Sequence, residues 1–429
     1  MHHFRYRDGA LACEGTDLES LASVYGTPTY VYSSATILDN YRRLNNALEP
    51  LDREVCYAMK ANSNLSVLEL FVREGAGFDI VSGGELFRVL KAGGTAAKCT
   101  FAGVGKTRDE IEYALREGVF CFNVESEPEL DAIESVAADI GLRAPVAVRL
   151  NPDVDAKTHK YISTGKSQNK FGVGLDRALA VYAHAASRPH LEIRGVQTHI
   201  GSQILDPAPF GEAIAKILPV VEELKRLYNL AFFSVGGGVG IEYHEALASG
   251  SAQWWVDHPE RITPEAYAKV IVPLLLPLGM RILFEPGRFL VGNAGVLLAT
   301  VLYIKKTPTK TFVVTDAAMN DLIRPALYEG WHEIVPLRAG DPAAERLPVD
   351  VVGPVCESGD FFAQDRPLPP LAPGDRVALL STGAYGFSMA SNYNSRPLPA
   401  EILVTGDSGR VIRKRQNFTD LVAAELDRG

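Results

Sequence analysis

The chain lacks most of the features that would assign it quickly. Its 429 residues include only 5 cysteines, Cys13, Cys56, Cys99, Cys121 and Cys356, an odd number with no C-x-x-C pair. That excludes a disulfide framework and a zinc knuckle, and four of the five read as small buried hydrophobes. Basic residues are in deficit, 43 Lys and Arg against 52 Asp and Glu, for a formal charge of −9. The electrostatic footprint of a nucleic-acid or anionic-membrane binder is therefore missing. No stretch supplies the roughly 18 uninterrupted apolar residues that cross a bilayer, and the opening MHHFRYRDGALACEG has no basic start followed by an apolar run. The expectation is a cytoplasmic protein. Low-complexity tracts and short-period repeats are also absent, which excludes disordered tails and solenoids.

What is present is ordinary globular usage, 47% hydrophobic and 22% charged. At this length, two domains or one large barrel with an appendage are expected. Eight short β-rich runs alternate with helical stretches: VCYAMK (55–60), FDIV (78–81), CTFAG (99–103), CFNVES (121–126), PVAVRLNP (145–152), VQTHIGS (196–202), FFSVGGG (232–238) and ILFEPG (282–287). Spacers such as DEIEYALREG and PFGEAIAKILPVVEELKRLYN carry the i, i+3, i+4, i+7 apolar spacing of a helix packed on one face. Eight such units over roughly 250 residues predict a closed (β/α)8 barrel at 36–290, with a doubly wound open sheet as the alternative. After residue 290 the texture becomes GVLLATVLYIKK, KTFVVTDAAM, VDVVGPVCES, RVALLSTGAY and AEILVTG, strands split by Pro, Gly and Asp. This predicts an all-β sandwich domain at 291–429, which the N-terminal segment 1–35 joins through TPTYVYS (27–33).

A barrel puts its active site at the C-terminal ends of its strands. There, Lys60 stands between Ala58 and Ala61 in YAMKAN, small apolar surroundings that would favour a nucleophilic amine; a strand-end lysine facing solvent is the alternative. SVGGGVG (234–240) offers backbone N–H groups unobstructed by side chains, suited to a phosphate or simply to a tight turn. It is not a dinucleotide fingerprint, because Ile241 stands three residues after Gly238. Glu285 in EPGR, an acid at a barrel mouth, needs a partner. A pyridine nitrogen would serve; an ion pair with Arg288 or Arg149 is the structural alternative. His199 and Ser202 in THIGS place a flat ring and a hydroxyl at the same mouth, and with no second ligand at metal spacing no metal is expected. An amine, a phosphate cradle, an acid and an imidazole together suit an aldehyde cofactor bearing a phosphate and a pyridine.

With these residues the chain resembles the alanine-racemase-like pyridoxal-phosphate enzymes, specifically the diaminopimelate decarboxylases, which group with ornithine and arginine decarboxylases. Nine segments in family order carry the resemblance: YAMKAN, FDIVSGGEL, HKYISTGKSQNKFGVG, THIGSQI, VGGGVG, EPGR, DLIRPALYEGWH, GPVCESGD and GAYGFSMASNYN. The resemblance implies that Lys60 carries pyridoxal 5'-phosphate, that His199 stacks on its ring and that Glu285 faces its nitrogen. Gly237, Gly238, Gly240, Gly287 and Arg288 would hold the phosphate, with Asp79, Glu85, Arg149 and Ser202 in support. Arg288, Arg324 and Tyr328 would grip the far carboxylate of the substrate and Glu357 its far ammonium.

In the family, Cys356, Glu357 and Tyr385 come from a neighbouring subunit, which implies a homodimer with shared active sites acting on a small amino acid. Gly359 departs from the serine expected at that position. The implied chemistry exchanges Lys60 for the substrate amine, releases the α-carboxylate and reprotonates the carbon, with Cys356 as the acid. The expected product from meso-diaminopimelate is lysine, the last step of lysine biosynthesis. The alternatives are a decarboxylase of ornithine, arginine, lysine or carboxynorspermidine, a racemase on the same barrel, and a non-catalytic cofactor-binding protein. Two arginines and a tyrosine at the far end favour a second carboxylate, since a substrate without one would leave buried cations unpaired.

Overall fold

A computed structural model of the chain describes residues 1–154, 170–341 and 343–426. Most of HKYISTGKSQNKFGVG and of the 151–172 loop lies outside the described residues. The chain divides into two units: Tyr41–Ile241 with Pro259–Phe289, and Met1–Asn40 with Glu242–His258 and Leu290–Gly429.

The first unit is built from eight parallel strands: β1 (Arg53–Ala58), β2 (Gly77–Ile80), β3 (Cys99–Phe101), β4 (Cys121–Val124), β5 (Ala144–Asn151), β6 (Leu191–Gln197), β7 (Phe232–Ser234) and β8 (Arg281–Phe284). They pair in sequence order, β8 returns to β1 and β4 pairs β5, so the sheet closes on itself. This is the predicted barrel. Most residues of these strands are apolar and buried because both faces of the sheet are covered. Phe78, Phe101, Phe122, Phe232 and Phe233 are at most 1% exposed, and burying each stabilises the fold by about 1.5–3 kcal/mol.

Intervening helices begin where a hydroxyl can accept from the first turn. Ser82 caps Gly83–Lys91, Thr107 forms a capping box with Glu110 ahead of Arg108–Glu117, and Ser126 caps Glu127–Asp139. The helix Ala208–Tyr228 buries Phe210, Ala213, Ile214, Ile217, Val221 and Leu224, the face its spacing predicted. One correction concerns the first strand, expected to run to Lys60. It ends at Ala58, and Lys60 sits in the 3-10 turn Met59–Ala61 that follows.

In the second unit the long strand Gly295–Lys306 pairs antiparallel with Thr29–Ser33, Arg376–Leu379 and Thr311–Thr315, shifting register between Val301 and Tyr303. Thr29–Ser33 thus joins the C-terminal β domain, as TPTYVYS implied. Ala400–Thr405 pairs in parallel with Thr29–Ser33, and Leu347–Val352 with Thr311–Thr315. A separate N-terminal sheet of Phe4–Arg7, Ala10–Cys13 and Thr16–Asp17 contributes Phe4, Leu11 and Cys13 to a core shared with Val31, Val296, Leu298, Ala378 and Ile402. The sequence reading did not separate Glu242–His258, which belongs to this unit. Ala246 joins the same core, and its carbonyl accepts from His2 Nε2 at 2.5 Å. Cys13, Cys56, Cys99 and Cys121 are buried and Cys356 is exposed. Among the described residues no helix is long and apolar enough to cross a membrane.

Candidate active site

Parallel registry brings polar side chains together at the C-terminal rim of the barrel. Ala58 pairs with Asp79, so the turn after β1 carries Lys60 to the end of β2, where its Nζ donates to Asp79 Oδ2 at 3.3 Å. Lys60 is partly exposed, with 42% of its side chain accessible, whereas Asp79 is buried. Glu85, the further acid of FDIVSGGEL, accepts from the Val81 N–H at 2.7 Å. Burial pushes its carboxyl up to about 7, partly offset by that bond.

Glu285 lies just past β8 and is 5% exposed. It accepts from Ser234 Oγ at 2.7 Å, Gln197 Nε2 at 2.9 Å and Asn123 Nδ2 at 3.3 Å. Burial, and then the nearby Asp79 charge, push its carboxyl up to about 7. Asn123, Gln197 and Ser234 were not singled out in the sequence. Their signal was available: each is a polar residue at or next to the C-terminal end of β4, β6 or β7.

The alternative ion pairs for Glu285 do not describe the bonds that Arg149 and Arg288 make. Arg149, 8% exposed, donates to Glu125 Oε1 at 2.9 Å and to the His199 carbonyl at 3.2 Å. Arg288 donates to Ser202 Oγ at 3.1 Å. A second buried pair supports this arrangement. Lys106 donates to the Gly103 and Asn123 carbonyls and to Glu129 Oε1, while Glu129 Oε2 accepts from the Glu125 N–H at 2.7 Å. Sequence inspection missed Lys106 and Glu129, since they meet only through the fold.

His199 Nδ1 accepts from the Gly237 N–H at 3.1 Å, so in the neutral ring the proton rides on Nε2. Although part of the residue reaches solvent, protein surrounds the ring closely. Desolvation, aided by the Arg149 and Lys60 charges, holds it well below the ordinary imidazole value. A neutral, flat ring at the mouth can stack without adding charge.

The glycine run meets its expectation only in part. A Cβ on Gly237 would strike the Glu285 carbonyl, one on Gly238 would lie 2.6 Å from the Gly201 carbonyl, and one on Gly240 2.9 Å from Leu205 Cδ2. Side chains are thus excluded from the run. The N–H groups of Gly237 and Gly240 are, however, committed to His199 and to the Ile204 carbonyl, respectively. Gly287 serves close packing, because its Cβ would come within 3.0 Å of the Ala58 carbonyl.

These residues fit a cationic pyridine with an attached phosphate. Buried Asp79 Oδ1, Asn123 Oδ1, Gln197 Oε1 and Thr198 Oγ1 have no hydrogen-bond partner in the protein, clustered around an acid held among neutral donors. Buried polar atoms ordinarily have partners. Among the described residues no group of three or more His, Cys, Asp or Glu is placed to hold a metal.

The second unit holds the remaining candidates. Arg324 opens the short helix Arg324–Tyr328; its Nη1 donates to His332 Nε2 at 2.7 Å, and its guanidinium lies 4.6 Å from the Tyr243 ring centre. Tyr328 and Tyr385 are half-buried, and Tyr385 takes a left-handed backbone, φ 57°. In GPVCESGD, Cys356 and Glu357 are exposed, and Glu357 accepts from the Tyr393 hydroxyl. Asp360 plays a different part from its neighbours. Buried to 3%, its two oxygens accept from the Met319 and Val355 N–H groups, each at 2.7 Å, and clamp the loop. A Cβ on Gly359 would meet nothing, so the serine expected there would also fit.

Comparison with known proteins follows this geometry. Residues 34–292 match the family model described as pyridoxal-dependent decarboxylase, pyridoxal binding domain. The chain is 49% identical over 426 residues to a diaminopimelate decarboxylase of Pseudomonas aeruginosa, covering 99% of each. Among solved structures it is similar to diaminopimelate decarboxylase from Helicobacter pylori complexed with L-lysine, with 43% identity, TM-score 0.88 and coverage of 95% of this chain and 99% of that one. It is also similar to the enzyme from M. jannaschii in co-complex with L-lysine, with 36% identity, TM-score 0.90 and coverage of 99% of each.

Proposed function

Because this chain belongs to the diaminopimelate decarboxylases, a family of pyridoxal-dependent decarboxylases, we propose that it converts meso-2,6-diaminopimelate to L-lysine and carbon dioxide on a barrel site centred on Lys60 and Glu285. One observation carries the chemistry: a buried carboxylate among three neutral donors on the strand-end rim that also carries a lysine amine.

Lys60 would hold pyridoxal 5'-phosphate, with Glu285 at the ring nitrogen, His199 against the ring, and Gly238, Arg288 and Ser202 toward the phosphate. Gly237 and Gly240 would shape that cradle, since their N–H groups are in use. When bound, such a group supplies a protonated ring that accepts the electron pair left as a carboxylate departs. Glu285 keeps the ring proton in place, because an anion buried without charge compensation favours a cationic neighbour. Asp79 keeps the Lys60 amine oriented at the rim. Arg149 braces the His199 main chain and Glu125 braces Arg149. Arg324 and Tyr328 hold the far carboxylate of the substrate and Glu357 its far ammonium, while the Cys356 thiol delivers a proton to the α-carbon.

In this reading the second half of the site comes from another copy of the chain. The loop Gly353–Asp360 holds Asp360 inside and sets Cys356 and Glu357 outside, as an interface contribution requires. A homodimer with two shared sites follows. Mixing inactive Lys60→Ala and Cys356→Ala variants should restore about a quarter of the activity through hybrid dimers; no restoration would refute sharing. The site lies in the cytoplasm in this reading, where its free thiols stay reduced.

Incubating the protein and pyridoxal phosphate separately with meso-diaminopimelate, ornithine and arginine tests the substrate. Lysine should form from the first alone, and turnover of ornithine would overturn the role given to Arg324.

A further inference from the structure

We infer that His332 is the positioning residue for Arg324, fixing the guanidinium that recognises the far carboxylate; the inference rests on the substrate assignment proposed above. His332 is 0% exposed and bridges two elements. Its Nδ1 lies 2.8 Å from the Leu380 carbonyl and its Nε2 lies 2.7 Å from Arg324 Nη1. A carbonyl only accepts and a guanidinium only donates, so the imidazole must carry its proton on Nδ1 and offer a lone pair at Nε2. The partners thereby set a single neutral tautomer. A second proton would place an N–H against the N–H of a cation.

The ring itself is held. Tyr243 meets it edge to face, with centres 5.4 Å apart at 86°, and turns its own face to the Arg324 guanidinium. Arg366 Nη1 donates to the His332 carbonyl at 2.8 Å while its guanidinium lies 3.3 Å from the Trp331 ring centre. Arg324 is thus directed by an imidazole that is itself tied at its main chain, at Nδ1 and at its ring edge. A guanidinium set before substrate arrives loses less freedom on binding a carboxylate, which strengthens binding without touching the bond that breaks. His332 should therefore act on substrate affinity and not on turnover.

Two substitutions separate the functions of the ring. His332→Asn can keep a donor toward Leu380 and removes the acceptor facing Arg324, whereas His332→Gln can keep an acceptor near the Nε2 position. L-Lysine retains the far carboxylate and cadaverine has none, so inhibition by the two reports the subsite apart from turnover. His332→Asn should raise the KM for meso-diaminopimelate and the inhibition constant of L-lysine by about 10-fold or more, the loss expected for a hydrogen bond to a charged group. Its kcat and cadaverine inhibition should stay within about 3-fold, and His332→Gln should bring KM back within about 3-fold of the parent protein.

Arg324→Lys, measured alongside, distinguishes the two levels of the argument. If it leaves KM and L-lysine inhibition unchanged, the carboxylate assignment fails and His332 loses its role with it. If Arg324→Lys weakens both and His332→Asn does not, the His332 inference alone is wrong. Equal losses in Asn and Gln, equal weakening toward cadaverine, or failure of both variants to fold would mark His332 as merely structural and overturn the inference.

Discussion

The barrel rim and the Gly353–Asp360 loop treat their reactive groups in opposite ways. On the rim, Glu285 is sunk among Ser234, Gln197 and Asn123, Asp79 faces Lys60, and Glu125 and Glu129 tie Arg149 and Lys106 into the wall. In the loop, Asp360 is buried and bonded to main-chain N–H groups, while a thiol and a carboxylate beside it stand in solvent. The rim is preorganised by its own neighbours, as electrostatic catalysis requires. The loop is clamped at its base by the two Asp360 bonds and exposed at its tip, which suits the shared site proposed above.

The largest effect should come from the rim. Lys60→Ala should lower kcat by roughly 10⁴-fold or more, read as lysine formed at saturating pyridoxal phosphate. A loss of less than about 10-fold would break the contrast at its centre. Next, Cys356→Ala should cost about 10²-fold in kcat with KM nearly unchanged, the size expected for a lost proton donor. An unchanged rate would demote the loop to packing. Arg324→Lys should raise KM about 10-fold to 100-fold and leave kcat close to the parent value, because an ammonium cannot reproduce the planar fork.

The finest distinction concerns pH. Burial raises the Glu285 carboxyl from 4.5 to about 7. The cofactor-free folded protein therefore binds more protons than the unfolded chain between those values, and this group's contribution to stability falls as pH rises through them. Melting temperatures of cofactor-free parent and Glu285→Gln proteins should diverge in favour of the variant between pH 4.5 and 8. Parallel curves would show that Glu285 is not buried as an acid.

How far these features could be read in advance depended on their range. The helix over 208–228 and the strand over 295–306 were legible because apolar spacing of 3.6 or a run of β-branched residues is a local property. Lys60, His199, Glu285 and the glycine run stood out because they lie just past strand ends, and a closed barrel gathers those ends. Glu242–His258 was not, since a short segment with mixed composition gives no local sign of which core it joins. The pairings of Lys106 with Glu129 and of His332 with Arg324 were equally hidden, for hydrogen-bond partners are chosen by packing.

The amino-acid order by itself determined the barrel, the β domain and the residue types at the strand ends, because periodicity and turn chemistry act within a dozen residues. Only the tertiary structure decided that Glu285 is surrounded by neutral donors, that Gly237 and Gly240 have their N–H groups already in use, and that Asp360 is a clamp. Those facts depend on which distant groups arrive within 3 Å or so of each other, and burial then sets how strongly each contact counts.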